Sequence, residues 1–566
     1  MTQVSPRRRR LHRAEPPAPP EIQAAVEQAL AAVAPVRKDK ALPLLQAIQA
    51  RLGHLPEPAL AYASRRSRIP LADLNALVSF YDLLTSEPHA GTVTHYCDDI
   101  VCRCRPGYDQ FIQALQQSGH TVHGAPCLGR CEQGPVALQT RTAAEPALAF
   151  GGFGAWQITA TQPARFAWPD DSQPMLLSRC GRYTPTDLNS YRQAGGLTAL
   201  DQARSMTRAD VVAQVKASKL VGRGGAAFPT GIKWEGVLVA PTPLGPGPDG
   251  AAKYVVVNAD ESEPGTFTNR VLMEEDPMGV IECALIAAHA VGADQIYVYI
   301  RGEYPLAVER CSAALAAFRE AGLLGGVGFE IRCGGGRYIC GEETALFASI
   351  EGERGAPRVK PPFPTTNGLF DRPTLINNVE TLHNLIPLLT LGVDAWNARE
   401  PKLFSIAGDV TRPGVYEVPM GTTLRALIDL AGGPVGEVQA VLMGGASGMF
   451  IGPEKLDTPL EFKAMAAAGA TVGSGAVMVY NAETDLWDVA RRAARFFAEE
   501  SCGKCVPCRV GTARQEELVD RFAEGQTQWI PLHRDIGQAM ADASICGLGH
   551  TAMNPVRSLL KLKGVQ

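Results

Sequence analysis

Three features are missing or scarce in this sequence of 566 residues, and each absence narrows the possible functions. No apolar run reaches the roughly 18 residues that a membrane-spanning helix needs, so we expect no membrane partner. The formal net charge is only −4, which gives no reason to expect nucleic acid as a partner. No apolar segment follows Arg7 to Arg10, so neither a secretory nor a twin-arginine signal is complete.

Cysteine, in contrast, is plentiful, because the chain contains 14 of them. In a chain with no export signal, such a number argues against a disulfide scaffold. Eight of the cysteines fall into two groups with metal-ligand spacing, which indicates metal in a reducing compartment and predicts a cytoplasmic protein.

The first group consists of two close pairs in a region of short strands and turns. Four residues separate Cys97 from Cys102, and three separate Cys127 from Cys131 in APCLGRC. Two close pairs from separate loops suit a 2Fe–2S cluster, with each pair holding one iron. A structural zinc site is the alternative, although CxxC spacing is commoner there. Cys104 is an extra thiol two residues beyond Cys102 and could replace it as a ligand.

The second group lies near the end of the chain, in SCGKCVPC and SICGLG. Cys502, Cys505 and Cys508 are spaced C-x-x-C-x-x-C, and Cys546 follows at a distance. Three thiolates from one turn and a fourth from afar suit a 4Fe–4S cluster. Zinc would normally use two C-x-x-C pairs or histidine, so the pattern favours iron–sulfur.

A glycine-rich stretch, CGGGRYICGEETAL from Cys333 to Leu346, stands between two predicted elements. The apolar run from Val327 to Arg332 predicts a short buried strand, and a helix is predicted from Glu342 to Ile350. A glycine turn between a strand and a helix N-terminus is typical of an anion site, and an ordinary tight turn is the alternative. An ATP P-loop is excluded, because Glu342 and Glu343 stand where Lys and Ser/Thr would be needed.

A second glycine loop, GRGGAAFPTGIKW, runs from Gly222 to Trp234. It is not a Rossmann fingerprint, because a helix predicted from Arg208 to Leu220 precedes it instead of a strand. Arg223 and Lys233 still suit it to phosphates. Further on, a strand predicted from Ala251 to Asn258 ends in NADESEPG, which crowds polar groups at the edge where open α/β sheets bind ligands. These groups are Asn258, Asp260, Glu261 and Glu263.

Together these motifs resemble one family. GRGGAAFPTGIKW, NADESEPGTF, GGGRYICGEETAL, KPPFP and INNVETL occur in this order, followed by ESCGKCVPCRVGT and SICGLG. This set resembles the flavoprotein subunit of complex I and its soluble relatives. The region from about 24 to 160 resembles the thioredoxin-like 2Fe–2S partner subunit of the same enzymes, fused in front. The two resemblances cover almost the whole chain.

The resemblance implies a binding residue at each matching position. The FMN phosphate and NAD loop would comprise Gly222, Arg223, Gly224 and Lys233, with Phe228 lining the nicotinamide site. Asn258, Asp260 and Glu261 would hold the flavin, and Glu263 would lie near the NADH ribose. The second flavin wall and the nicotinamide and adenine side would comprise Tyr338, Gly341, Glu342, Glu343, Lys360 and Phe363, while Asn377, Asn378 and Thr381 complete the FMN cradle. Ala227 departs from the pattern, since glycine is usual there.

We therefore expect a multidomain α/β protein. The expected parts are a disordered arm (1–20), a helical bundle with a thioredoxin-like 2Fe–2S domain (21–160), a surface linker (161–200), an α/β FMN and NAD-binding domain (201–400), a β-grasp, ubiquitin-like domain (401–485) and a helical 4Fe–4S domain (486–566).

The family resemblance implies a diaphorase that collects electrons through iron–sulfur clusters onto FMN and reduces NAD. No catalytic acid or base is expected in the chain; Glu263, Glu343 and Phe363 would orient the reactants. GLFDRPTLINNVETL and SICGLGHTAMNPV look closest to the beta subunits of soluble NAD-dependent formate dehydrogenases. This implies a large molybdenum- or tungsten-containing partner subunit with further iron–sulfur clusters. The alternatives are a diaphorase subunit of an NAD-reducing hydrogenase, a complex I-like NADH-oxidising module and a non-catalytic electron-wire subunit.

Overall fold

The computed structural model describes residues 18–89, 92–140, 156–159, 162–241 and 245–565. The disordered arm expected at 1–20 lies, as far as residue 17, outside the described residues. The described chain forms three β-sheets with helices around them and ends in a group of helices, which confirms the expected multidomain α/β architecture. Across these ranges we find no helix whose length and apolar character would let it span a bilayer.

The N-terminal domain joins a helical bundle to a small mixed sheet. Apolar side chains repeat along one face of each bundle helix, so Val26, Leu45 and Ile48 are buried together. In the sheet, of order β2-β1-β3-β4, β1 pairs with β2 in parallel and with β3 antiparallel. The elements are α1 (Pro20–Ala32), a 3-10 helix (Lys38–Lys40), α2 (Ala41–Leu52), α3 (Glu57–Ser67), α4 (Leu71–Val78), β1 (Val93–Cys97), α5 (Tyr108–Gln117), β2 (Thr121–Ala125), β3 (Ala137–Thr140) and β4 (Trp156–Ile158).

The segment expected to be a surface linker contains short regular elements and several buried side chains. It contains β5 (Phe166–Ala167), α6 (Leu188–Gln193) and the start of α7 (Thr198–Ser205). Leu177, Cys180 and Tyr191 are buried, and Arg179 makes a buried ion pair of 2.8 Å with Asp276. Buried and exposed residues alternate from 162 to 200, so the surface linker expected at 161–200 is anchored to the protein at several points. Its many polar and small residues hid the few large side chains that anchor it.

The central domain is built on a fully parallel sheet of order β8-β7-β6-β9. Its strands read as continuous apolar runs because helices cover both faces, so that Val255, Val256 and Val257 are all buried. Its elements are α8 (Arg208–Ala217), α9 (Thr230–Leu238), β6 (Tyr254–Ala259), α10 (Thr268–Glu275), α11 (Pro277–Val291), β7 (Gln295–Ile300), α12 (Pro305–Glu320), β8 (Gly328–Cys333), a 3-10 helix (Tyr338–Gly341), α13 (Glu343–Ile350), α14 (Pro364–Asn367), a 3-10 helix (Leu369–Asp371), β9 (Thr374–Asn378), α15 (Val379–His383), α16 (Leu385–Leu391) and α17 (Val393–Asn397).

The mixed-sheet domain follows, with strand order β13-β12-β14-β10-β11-β5 and its own apolar core. Strand β5 joins it from the preceding segment by pairing in parallel with β11. Its elements are β10 (Pro401–Gly408), β11 (Gly414–Pro419), α18 (Leu424–Leu430), β12 (Val438–Met443), β13 (Met449–Ile451), a 3-10 helix (Pro453–Lys455), α19 (Phe462–Ala467) and β14 (Ala476–Asn481).

The C-terminal domain is helical, as expected. Its elements are α20 (Leu486–Glu500), α21 (Val506–Ala523), a 3-10 helix (Thr527–Trp529), α22 (Ile530–Ala543), α23 (Gly547–Thr551) and α24 (Asn554–Leu562). Helix α20 packs along α21, and α24 lies against β13 of the mixed-sheet domain. The cysteine-rich turn before α21 therefore stands between helices that are fixed from both sides.

Candidate functional site

The carboxyl edge of the parallel sheet gathers the polar residues that follow β6 and β8. The Asn258 side-chain amide donates to the carbonyl of Gly341, over 2.8 Å. Asp260 is half-buried beside Gly341, and its Oδ2 is a buried atom with no hydrogen-bond partner among the described residues. Burial raises the pKa of Asp260 well above its ordinary value. An unsatisfied buried oxygen of this kind is costly, which indicates that a ligand completes the site.

Alternating charges line one side of this edge. Lys360 donates to Glu342 over 2.9 Å and to Glu343 over 2.6 Å, and Lys233 reaches the other oxygen of Glu343 at 3.2 Å. Although burial opposes ionisation, the two lysines hold the pKa of Glu343 below its ordinary value. Glu343 is therefore charged at neutral pH, and each lysine keeps protons to donate to a polar ligand.

Two aromatic side chains are exposed beside these charges. Phe228 is 50% exposed and Phe363 is 57% exposed, an unusual state for phenylalanine. The Lys233 ammonium lies 6.0 Å from the Phe228 ring centroid. Exposed rings next to a polar cleft suit the stacking of a planar ring, as the expected roles of these residues require.

The loop from Gly222 to Phe228 is fastened by backbone contacts. The Gly222 amide donates to the Phe228 carbonyl, and the Arg223 amide donates to Thr381 Oγ1 over 2.8 Å. The Arg223 guanidinium is fully buried and bonds Glu400 through one nitrogen, while its Nε and Nη1 have no partner among the described residues, so its expected role towards a phosphate stays a prediction. Ala227 has a φ of +50°, which explains why glycine is expected there.

The remaining members of the expected cradle follow β9. Asn377 Oδ1 accepts the Trp234 indole N–H over 2.9 Å, and Asn378 Oδ1 accepts the Glu380 amide over 2.9 Å as the N-cap of α15. A Cβ placed on Gly224 would lie 3.4 Å from the Asn378 Cβ, so the glycine loop and this cap touch directly. These residues therefore form one continuous wall around the edge of the sheet.

The Glu261 carboxylate is occupied by contacts within the protein. It accepts the amides of Asn269 and Arg270, over 2.7 and 2.9 Å, at the N-terminus of α10, and it also accepts the Tyr304 hydroxyl. The carboxylate thus caps a helix, where negative charge is favoured. The flavin contact expected of its side chain is not supported.

The glycine turn at 334–336 does not form an anion site, so that interpretation is wrong. A Cβ on Gly335 would collide with the Tyr81 ring, and Gly336, at φ +84°, lies against Leu83. The Leu83 amide also donates to the Gly335 carbonyl over 3.0 Å. The N-terminus of α13 is already capped by the Glu342 carboxylate, over 2.8 and 2.9 Å. The glycines therefore make room for the N-terminal domain.

Glu263 lies where three domains meet. One carboxylate oxygen accepts the Tyr338 hydroxyl over 2.6 Å, and the other accepts the Ser447 amide of the mixed-sheet domain over 2.6 Å. Burial raises the pKa of Glu263, while these two donors act in the opposite direction. Sequence reasoning missed Ser447, which stands in GGASG, far along the chain from the flavin motifs. The glycines of GGASG were the one local sign that this turn approaches another part of the protein closely.

The four N-terminal cysteines predicted as cluster ligands come together, each 2% exposed or less: Cys97, Cys102, Cys127 and Cys131. The sulfurs of Cys127 and Cys131 are 3.4 Å apart, and the Cys97 thiol contacts those of Cys102 and Cys127. Cys104 instead directs its thiol to the carbonyl of Ile100, over 3.5 Å. The geometry therefore favours Cys102 over Cys104.

The four C-terminal cysteines line one cavity of about 290 Å³, including its open mouth: Cys502, Cys505, Cys508 and Cys546. Ile339 and Pro357 of the central domain line the same cavity, and Lys504 donates to the Pro357 carbonyl over 2.7 Å. Ile339 is the neighbour of Tyr338, so the cavity and the proposed flavin wall share a partition.

Comparison with known proteins gives a consistent picture. Family models match in chain order: Thioredoxin-like [2Fe-2S] ferredoxin (26–146), Nuo51 FMN-binding domain (215–387), SLBB domain (403–447) and NADH-ubiquinone oxidoreductase-F iron-sulfur binding region (488–562). The NADH-quinone oxidoreductase F protein of Aquifex aeolicus is 39% identical over 407 residues, covering 68% of this chain and 92% of that protein. This chain belongs to the complex I flavoprotein family.

Two relatives extend the match within the family. The NAD-reducing hydrogenase HoxS subunit alpha of Cupriavidus necator is 31% identical over 568 residues, covering 93% of this chain and 90% of that protein. A crystal structure of an NAD+-reducing [NiFe]-hydrogenase in the air-oxidized state matches with a TM-score of 0.76 and 30% identity, covering 97% of this chain and 94% of that one.

The expected cofactors are thereby confirmed. As a member of the complex I flavoprotein family, the chain has FMN-binding, 2Fe–2S and 4Fe–4S domains, and NAD is the substrate of the family. The structure fits these groups, because Asp260 has an unsatisfied oxygen at the sheet edge, the four N-terminal cysteines are in mutual contact, and the four C-terminal cysteines line one cavity. The chain is an NADH-dehydrogenase-type diaphorase subunit.

Proposed function

We propose that this chain converts single electrons into hydride for NAD, as the diaphorase subunit of a cytoplasmic, multi-subunit dehydrogenase. The observation that carries the proposal is the partition between the two sites. Ile339 lines the four-cysteine cavity, and its neighbour Tyr338 belongs to the flavin wall. A one-electron carrier and a two-electron cofactor would thus lie on either side of a single short segment.

The residues of the chain bind and orient in this scheme. FMN, when bound, supplies the pairing of electrons and the hydride chemistry. Asp260 and Asn258 would hold the flavin at the sheet edge, with Gly224 and Asn378 on the opposite wall. Lys233, Lys360 and Glu343 present fixed charges to the nucleotide, and the exposed rings of Phe228 and Phe363 cover its planar groups. Each of these binding roles is a proposal.

We further propose formate as the substrate of the partner subunit, which would carry molybdenum or tungsten and further iron–sulfur clusters. Support comes from GLFDRPTLINNVETL and SICGLGHTAMNPV, which look closest to formate dehydrogenase beta subunits. Hydrogen is the second candidate, and it is favoured by the hydrogenase relatives that match along almost the whole chain. All 14 cysteines are free in the structure, which supports the reducing compartment.

The isolated chain separates the diaphorase from the fuel-oxidising activity. Reconstituted with FMN and iron–sulfur clusters, it should reduce ferricyanide with NADH, because the flavin and nucleotide residues are complete. It should turn over neither formate nor hydrogen, because both ligand sets found in the chain suit iron–sulfur. Formate oxidation by the pure chain, or failure to oxidise NADH at full FMN occupancy, would overturn the proposal.

The native complex identifies the fuel. Purified through this chain, it should reduce NAD with formate and contain molybdenum or tungsten. Hydrogen-dependent NAD reduction with nickel in the preparation would select the hydrogenase alternative. NADH oxidation without either fuel reaction would select the complex I-like module.

A further inference from the structure

The two hydrogen-bond donors to Glu263 are both supported by the C-terminal domain. The Tyr338 ring packs edge-on against Phe496 and Phe497 of α20, with centroids 5.0 and 6.2 Å apart. Ser447 is held from α24, because the Asn554 side-chain amide donates to the Ser447 carbonyl over 2.9 Å. The cluster-bearing domain therefore fixes a carboxylate in the nucleotide site without touching it.

The turn that carries Ser447 has little freedom to compensate for a lost contact. Gly444 and Gly445 have φ values of +94° and +93°, a conformation that other residues rarely adopt. A Cβ on Gly445 would collide with the Glu263 side chain, so the turn lies in direct contact with it. A shift of the Ser447 carbonyl would move the neighbouring amide that binds Glu263.

Asn554 is itself oriented by a second contact. Its Oδ1 accepts a hydrogen bond of 2.8 Å from Arg557 on the same helix, which leaves its amide N–H groups to donate. Asn554 is thus oriented to donate to Ser447, and the order of contacts is Arg557, Asn554, Ser447 and Glu263.

We propose that Asn554 is a positioning residue for nucleotide binding, which acts through the Ser447 turn on the Glu263 carboxylate. The inference rests on the proposed function and on the role that the family resemblance implies for Glu263, whose carboxylate would accept a ribose hydroxyl of NADH. A carboxylate held from both sides is pre-organised for that bond, whereas a released one must be ordered when the nucleotide binds. The C-terminal domain thereby contributes to nucleotide affinity as well as to electron transfer.

The test is Asn554→Asp in the full chain with all cofactors. Aspartate keeps the acceptor for Arg557 but has no donor for Ser447 when ionised. The KM for NADH should rise about two- to tenfold, the range expected for one hydrogen bond, while kcat with ferricyanide stays within about twofold. Asn554→Ala, which is neutral, should raise the KM in the same direction and excludes an effect of the added charge.

The matched control is Ser558→Ala on the same helix. Ser558 accepts the Phe450 amide over 2.9 Å, a comparable contact between the same two domains that bypasses the Ser447 turn. The Ser558→Ala variant should keep the KM for NADH within about 1.5-fold of wild type. Water can replace the lost hydrogen bond, and that bond does not lead to Glu263. The 4Fe–4S EPR signal and the FMN content should match wild type in every variant.

A double-mutant cycle decides the route. In a Glu263→Gln background, Asn554→Asp should have no further effect on the KM, because the group it positions has been changed. An unchanged KM in Asn554→Asp and Asn554→Ala, or equal effects in both backgrounds, would overturn the inference. These two outcomes can be told apart from a failure of the proposed function. They would be observed in a wild-type chain that still oxidises NADH, whereas the proposed function fails if the wild-type chain cannot oxidise NADH at all.

Discussion

The two iron–sulfur sites differ in how far they lie from solvent. In the N-terminal site every predicted ligand is 2% exposed or less, whereas in the C-terminal site only Cys508 is buried and the other three cysteines are partly exposed. Electrons can reach a buried cluster only through the protein around it. We therefore expect the C-terminal site to face the partner subunit and the N-terminal site to communicate within the chain.

The loops around the N-terminal site are also anchored by arginines from other domains. Arg301 donates to the Cys127 carbonyl over 2.7 Å, Arg270 to the Gly129 carbonyl over 2.9 Å, and Arg492 to Asp98 over 3.0 Å. The C-terminal site relies instead on its own helices and on the partition with the flavin wall. The buried site is thus built by the assembled domains, and the open site mainly by one domain.

The largest expected effect separates the two sites chemically. Cys546→Ala should remove the 4Fe–4S EPR signal and leave the 2Fe–2S signal, because the two ligand sets share no residue. Iron should fall from about six to about two per chain. Anaerobic iron and sulfide analysis with EPR checks this, and zinc in place of iron, or loss of both signals together, would contradict it.

The next prediction concerns the buried ion pairs of Arg270, which anchor the loops around the N-terminal site. Arg270→Met removes the ion pair of the buried Glu132 carboxylate and one of the two ion pairs of Glu274, which keeps Arg130, and this should cost about 3–5 kcal/mol of stability. Denaturant unfolding of the full chain measures this. The control is Arg495→Met, since Arg495 and Glu499 are more than half exposed and should contribute less than about 1 kcal/mol. An equal loss of unfolding free energy in the two variants would show that the buried ion pairs of Arg270 stabilise the protein no more than an exposed ion pair does.

Acid should destabilise the C-terminal domain through a buried histidine, as it should the N-terminal domain, where burial also lowers the pKa of His95 to about 4. His533 is buried in the C-terminal domain, and burial lowers its pKa to about 4. Below the ordinary pKa of 6.5 the unfolded chain takes up a proton that the folded chain does not, so stability falls as pH falls from about 6.5 towards 4. By pH 5 this should cost about 2 kcal/mol. His533→Gln should lose that part of the pH dependence in unfolding experiments at pH 7 and 5, and an unchanged pH slope would refute it.

The smallest expected effect concerns the choice of nucleotide. If Glu263 lies at the NADH ribose, as the family resemblance implies, its carboxylate would accept a 2′-hydroxyl but repel a 2′-phosphate, so NADH should be strongly preferred over NADPH. Glu263→Gln should lower the ratio of kcat/KM for NADH to kcat/KM for NADPH about tenfold, which corresponds to roughly 1.4 kcal/mol. Equal wild-type rates with NADH and NADPH would exclude this role.

Regular elements were predictable because apolar periodicity is a local signal. The strand predicted from Ala251 to Asn258 forms as β6 at Tyr254–Ala259, and β8 is displaced by one residue from its expected start and end. Both cysteine groups were also predictable, since ligand spacing is local. The linker was not, because a few buried side chains such as Tyr191 decide its packing.

Side-chain directions in the site were less accessible. Gly335 is equally compatible with an approaching anion and an approaching ring, and only the position of Tyr81 in the fold decides between them. Glu261 and Glu263 are two residues apart in one motif, yet one caps α10 and the other bonds Ser447 in another domain. Such distinctions depend on neighbours that are remote in sequence.

Tyr81 and Leu83 of the N-terminal domain pack against the glycine turn of the central domain. This contact between the two domains has a consequence for how the protein assembles. If the N-terminal domain and the central domain were separate chains, their hydrogen-bonded interface would form only above a threshold of protein concentration. Here β4 ends at Ile158 and β5 begins at Phe166, so only residues 159–165 of the sequence separate the two strands. A covalent connection of this length sets an effective concentration on the order of millimolar. Docking is then insensitive to dilution, and every flavin domain receives one 2Fe–2S domain as it is synthesised.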